Sequence, residues 1–185
     1  MPTVNVTKSV VIDKSAADVW KLITETFAQE DKIAANIVAC AALTDGTTRL
    51  FGDNNNVTGR TITLADGTVM QEVLTAVDPN SMKLSYDIIG MVFPFVTAKC
   101  CWWVAAVGHD GNNHDDKNNN NKKSTLFVQL QGAVNWIPVG FVVPLLQYMV
   151  VPSALQGVLE DHKYYVENDS EPSPAKKKAM AKTQK

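Results

Sequence analysis

Between Ala39 and Val134 the chain keeps a period of two, and that alternation most narrows what it can fold into. Side chains on a strand point alternately to opposite faces, so alternating apolar residues mark sheet with one buried side. The pattern predicts six strands, near 38–43, 57–64, 69–77, 81–89, 95–107 and 124–134. "ADG" at 65–67 and "DPNS" at 78–81 supply hairpin turn chemistry between three of them.

The flanks read differently. Val4, Val6, Val10, Val11 and Ile12 form a β-branched opening strand. Ser15 followed by Asp18 then resembles a capping box, and Val19, Trp20, Ile23 and Phe27 share a face at helical spacing. A second short helix is expected over Glu30–Val38. After Val134, "PLLQYMVVPSALQGVLEDHKYYVEN" reads as a long helix that Pro152 should break or kink, with Ser153 able to cap the part beyond the break. The expected fold is therefore α+β: a seven-stranded curved antiparallel sheet wrapped around a long C-terminal helix, with two short helices after the first strand.

Residues 1–168 read as a single domain. "DGNNHDDKNNNNKK" at 110–123 is too polar to bury and reads as a mobile loop, and 169–185 as a disordered, solvated tail with five lysines. A net charge of −2 argues against binding dominated by nucleic-acid phosphates. Cys40, Cys100 and Cys101 form no disulfide framework or metal knuckle, which points to a reducing, cytoplasmic setting. The N-terminus shows no signal peptide and no myristoylation glycine. Asn135, Pro138, Pro144, Gln147 and Pro152 interrupt the apolar stretch Ala133–Leu155 and argue against a membrane span. His109, His114, Asp115 and Asp116 could be drawn as a metal site, but they fall in the polar loop without supporting groups, so no metal or cofactor is expected. No nucleophile elbow, phosphate loop or dinucleotide fingerprint occurs.

Register identifies the inward face. Arg60, Ile62 and Leu64 share a side of one strand; Met70, Glu72, Leu74 and Ala76 of the next; Met82, Leu84, Tyr86 and Ile88 of the third. A hairpin centred on Asp66 puts Arg60 opposite Glu72. On the sixth strand Ala98, Cys100, Trp102 and Val104 face in. On the seventh both faces have claims, and Gln129 is placed inward. Phe93, Phe95 and Trp102 are candidate lining. Leu155, Leu159 and His162 fall on one face of the last helix. An isolated buried charge is costly, whereas an Arg–carboxylate pair is tolerable. Such a pair either satisfies itself or presents polar groups to a ligand. His162 is either a proton-transfer group or a partly exposed helix residue. Nothing in the pattern supports pairing Cys100 with His162 as a nucleophilic dyad.

At this point the chain resembles the Bet v 1-like, START or SRPBCC helix-grip superfamily, and within it the polyketide cyclase/dehydrase type. The opening strand and helix "SVVIDKSAADVWKLITE" carry part of the resemblance. The central "GRTITLADGTVMQEVLTAVDPNSMKLSYDI" carries most of it, through Gly59, Arg60, Leu64, Asp66, Gly67, Glu72, Leu74, Asp78, Leu84 and Tyr86. Pro94 and "GVLEDHKYYVE" complete it. The chain departs in Gln129, where the family usually has tryptophan, and in its asparagine-rich loop.

The resemblance implies a cavity for a hydrophobic or amphipathic small molecule of lipid, polyketide or isoprenoid class. Expected ligand-binding residues are Arg60, Ile62, Glu72, Leu74, Tyr86, Ile88, Phe95, Trp102, Gln129, Leu155 and Leu159. The leading reading is a carrier or sensor. The alternative is a cyclase, dehydratase or isomerase, with Glu72, Tyr86 and His162 as catalytic candidates. A third is an interaction or membrane-associated protein using the apolar segment 136–151. The sequence leaves the oligomeric state open.

Overall fold

The computed structural model describes residues 2–50, 52–90, 95–107, 123–134, 142–168 and 170–183. Phe93, His109, His114, most of the 110–123 tract and residues 136–141 of the apolar segment lie outside them.

Seven antiparallel strands form one sheet in the order β1-β7-β6-β5-β4-β3-β2. They are β1 (Thr3–Ile12), β2 (Ile37–Leu43), β3 (Gly59–Leu64), β4 (Val69–Asp78), β5 (Lys83–Ile89), β6 (Phe95–Ala106) and β7 (Ser124–Val134). The turns form as their residues dictate. Asp66 Oδ1 accepts from Thr68 N at 2.9 Å, and Asp78 accepts from Asn80 N, Ser81 N and Ser81 Oγ. The resulting register pairs Arg60 with Glu72 and Leu74 with Tyr86. A bulge at Thr75 then turns the strand over, so Ala76 faces solvent instead of the core and Val77 packs inward.

Helix α1 (Ala16–Glu25) starts as the capping pattern predicts: Ser15 Oγ accepts from Asp18 N and donates to Asp18 Oδ2 at 2.6 Å. Its buried Val19, Trp20 and Ile23 pack on the sheet. The second helical element is a kinked 3₁₀ turn, Phe27–Lys32, earlier than the expected 30–38. It is short because non-helical backbone at Ala28 and Gln29 bends it, burying Phe27 and Glu30 together.

The C-terminal helix is continuous across Pro152. Helix α2 (Val142–Leu145) leads through a π-helical turn, Leu146–Val150, into α3 (Val151–Glu167). Pro152 follows the π-helical turn directly, where the i→i−4 pattern its missing N–H would interrupt is already altered, and Ser153 makes no cap. Leu145, Tyr148, Met149 and Val150 are exposed. Among the described residues no helix is long and apolar enough to cross a membrane.

The core lies between the sheet's concave face and helices α1 and α3, centred on Leu84, Leu126, Val128, Val19 and Leu159. A smaller cluster of Ala34, Ile37, Ile62 and Met70 closes the β2 side. In place of an expected disordered tail, Pro174–Thr183 form helix α4. Its Lys176 Nζ donates to Ile37 O at 2.6 Å, and Ser173 Oγ donates to Asp161 Oδ1. Composition concealed this docking because the anchors are polar and the lysine looks like its solvated neighbours.

Candidate functional site

Four charged side chains meet inside the core. Arg60 (β3) is 4 % exposed, Glu72 (β4) 5 %, Glu30 (3₁₀ turn) 4 % and His162 (α3) 2 %. Arg60 holds the group together: Nε donates to Glu72 Oε2 at 2.5 Å, and Nη1 donates to Glu30 Oε2 at 2.8 Å and to Phe27 O at 2.7 Å. The guanidinium carbon stands 4.3 Å from the centre of the Phe27 ring and 5.7 Å from that of Tyr86, so aromatic faces add to its stabilisation. Sheet pairing alone brings in Glu72. The bend of the 3₁₀ turn brings in both Phe27 and Glu30.

His162 approaches from the opposite side. Its Nδ1 lies 2.9 Å from Val158 O and its Nε2 3.3 Å from Glu30 Oε1. The Nε2–Oε1 contact is an ion-pair distance rather than a hydrogen bond, and the Glu30 carboxylate beside the ring favours its protonated form. The electrostatics agree. Burial alone would lower the His162 pKa, but the Glu30 carboxylate outweighs it and the pKa is raised. Burial would raise Glu30, yet His162 and Arg60 together pull it down to about 2. Glu72 is raised by burial, which outweighs the Arg60 guanidinium beside it. Two carboxylates sharing one arginine are thus driven apart by their surroundings.

Glu30, Arg60 and His162 line a cavity together with Ile23, Phe27, Leu84 and Trp102. It has about 10 Å³ of space for the centre of a water molecule, room for about one water. The ligand-sized gap expected between sheet and helix is therefore almost closed among the described residues.

The expected site residues separate into groups. Arg60, Trp102 and His162 reach the cavity wall. Glu72 lies behind Arg60, and the Tyr86 hydroxyl accepts from Trp102 Nε1 at 3.0 Å, so neither of these two catalytic candidates lines the cavity. Leu74, Leu155 and Leu159 belong to the main core, Ile62 to the smaller cluster, and half-buried Ile88 touches both. Phe95 packs against the main core. Gln129 is misplaced by the sequence: Leu126, Val128 and Leu130 take the inner face of β7, and Gln129 Nε2 donates to Asn5 Oδ1 on the outer face. Three buried leucine and valine side chains outweigh one amide in setting that register.

His162 is fully enclosed rather than partly exposed. Glu30 escaped notice altogether, and the signal for it was a buried arginine with more donors than one carboxylate could use. Burial pushes the Cys100 thiol up to about 12, which removes it as a nucleophile near neutral pH. Among the described residues no group of three or more His, Cys, Asp or Glu could hold a metal ion.

A curved antiparallel sheet gripping a long helix over an internal polar cluster defines a helix-grip protein with a hydrophobic interior. The sequence matches the model of one family over residues 3–161, and the chain belongs to it: polyketide cyclase / dehydrase and lipid transport. No protein of curated function matches the chain significantly in sequence.

Solved structures share the fold. A START superfamily protein from Mycobacterium smegmatis aligns with TM-score 0.62 and 14% identity, covering 89% of this chain and 97% of its own. Ginseng major latex-like protein 151 from Panax ginseng gives 0.60 and 15%, covering 88% and 97%. A Thalictrum flavum norcoclaurine synthase point mutant, in complex with a transition state analogue, gives 0.63 and 11%, covering 91% and 96%. At such identities the likeness is one of fold.

Proposed function

We propose that this protein binds and carries a hydrophobic small molecule whose polar end is a neutral oxygen, a carbonyl or hydroxyl, seated against Arg60 and His162. The observation that carries this reading is the cavity wall itself, which joins Glu30, Arg60 and His162 to Ile23, Leu84 and Trp102. With His162 protonated, two cations face two carboxylates and the set is neutral. A ligand carboxylate would add an uncompensated buried charge, whereas a neutral oxygen can accept from the cationic donors without one. The apolar wall suits a lipid, polyketide or isoprenoid body.

Because the closed cavity holds about one water, the ligand body needs space made by movement of α3 away from the sheet. The test is native mass spectrometry of the protein from its own source, with extraction of the bound molecule. A neutral, oxygen-bearing apolar compound is expected, and Arg60→Met should lose it. Recovery of an acid, or of nothing from a properly folded protein, overturns the reading.

A second reading is favoured by one detail. His162 stands at the cavity wall with its pKa raised by the Glu30 carboxylate, so in a cyclase, dehydratase or isomerase it would give a proton from Nε2, the nitrogen on the Glu30 side. In that case His162→Gln abolishes turnover of the recovered compound while its affinity stays close to wild type. For a carrier, no turnover exists to lose.

A further inference from the structure

Helix α4 is fastened to the domain by polar anchors at its first turn. Ser173 is its N-cap: Ser173 Oγ accepts from Lys176 N at 3.0 Å, and Pro174 is the first helical residue. The same hydroxyl donates to Asp161 Oδ1, while Asp161 Oδ2 accepts from Ala35 N at 2.8 Å. Lys176 Nζ donates to Ile37 O at the start of edge strand β2. Ser173 and Lys176 are buried, whereas Pro174, Ala175, Lys177 and Lys178 are exposed. A groove of about 390 Å³, lined by Tyr164, Glu167 and Ala175 among others, separates α4 from α3. Two polar anchors, Ser173 and Lys176, tie the helix to the domain. Asp161 adjoins His162, so the fastening bears on the turn of α3 that closes the cavity.

We propose that Ser173 is a phosphorylation site and that its phosphate unfastens α4. The sequence around it, Ser173-Pro174-Ala175-Lys176-Lys177-Lys178, is of the kind read by proline-directed serine/threonine kinases, which favour a proline next to the serine and a basic residue beyond it. The donor is a nucleoside triphosphate: Ser173 Oγ attacks the γ-phosphorus and loses its proton to the kinase's base. The bond to the departing nucleoside diphosphate breaks.

The product cannot keep the docked geometry. The hydroxyl proton that bound Asp161 is gone, and a phosphate of about two negative charges would face that carboxylate. At the N-terminus of α4, however, the phosphate meets the helix dipole and the ammonium groups of Lys176 and Lys177, so the helix itself is retained. Lys176 exchanges Ile37 O for the phosphate. Since Ser173 is enclosed when docked, the kinase acts on the briefly undocked form, and modification traps it.

The test needs no ligand, so it is independent of the carrier reading. The full chain is incubated with a proline-directed kinase and ATP, the phosphate is located by fragment mass spectrometry, and amide exchange is compared before and after. One phosphate on Ser173 is expected, with exchange on the order of tenfold faster over 34–38 and 158–167. Asp161→Ala, which removes the acceptor of the Ser173 hydroxyl and leaves the sequence around Ser173 intact, should speed both phosphate incorporation and exchange at 34–38 several-fold. Failure of the kinase to modify Ser173, modification without faster exchange, or an Asp161→Ala chain phosphorylated no faster than wild type overturns the proposal.

Discussion

Glu30 serves two cations at once, and the energetics of the cluster turn on that. Removing one partner of a buried ion pair leaves an uncompensated charge, at a cost of about 3–5 kcal/mol. Glu30→Gln removes the carboxylate beside His162 and leaves Arg60 with Glu72 alone, whereas Glu72→Gln leaves Glu30 beside both Arg60 and His162. Urea unfolding should therefore show the larger loss for Glu30→Gln. Equal losses would mean that His162 does not depend on Glu30.

The same geometry sets the pH dependence. Glu30 has a folded pKa of about 2 against 4.5 unfolded. Its contribution is complete above 4.5 and disappears as pH falls towards 2, on the order of 3 kcal/mol. His162 is raised above 6.5, so its contribution is complete below 6.5 and is lost as pH climbs through the folded value. Glu72, raised above 4.5, behaves oppositely to Glu30: what it contributes is present below 4.5 and lost as pH rises. Stability measured over roughly pH 6 to 9 should decline in wild type and flatten in His162→Gln. A flat wild-type profile would contradict a His162 pKa raised by Glu30.

The Arg60–Glu72 half of this cluster was legible because a hairpin centre fixes who faces whom. The Glu30–His162 half joins a bent turn to a helix 132 positions away (Glu30 to His162), and no local pattern records that contact.

At the scale of elements, two glycines mark where backbone and side chain approach too closely for anything larger. A Cβ on Gly59 would lie 2.4 Å from the Glu72 carbonyl oxygen, and one on Gly132 2.6 Å from the Phe95 ring. The first obstacle is backbone in the strand pair that carries the ion cluster, and the second is a ring that can swing. Overpacking costs about 1–3 kcal/mol where neighbours can adjust. Gly132→Ala should fall in that range, and Gly59→Ala should exceed it, with β3–β4 pairing disturbed. Thermal unfolding of the two variants decides the order, and a Gly59→Ala protein as stable as wild type would show that the strands can separate freely.

Strand positions were legible because alternation and turn chemistry agree with the final sheet. The bulge at Thr75 was not, since an extra residue alters register without altering composition. The π-helical turn before Pro152 was equally hidden: the helix widens by one turn and continues where a break was expected.

For the whole molecule, the order of strand, helices, six strands and long helix was enough to give the fold, because few arrangements bury one face of such a sheet. Cavity size was not legible, for it depends on how far α3 settles onto the sheet, which is a matter of side-chain packing. The closed interior has a kinetic consequence. Among the described residues the cavity at the ion cluster has room for about one water, so an apolar molecule is expected to enter there only when α3 lifts. The observed rate of uptake of a fluorescent apolar probe such as Nile red should rise with probe concentration and then level off at the rate of opening. Weakening the grip of α3 through Leu159→Ala, which also costs about 2–5 kcal/mol of stability, should raise that plateau. If instead the rate climbs linearly at all concentrations, towards the ~10⁵–10⁷ M⁻¹s⁻¹ of unhindered association, the cavity is already open in solution and α3 is not its gate.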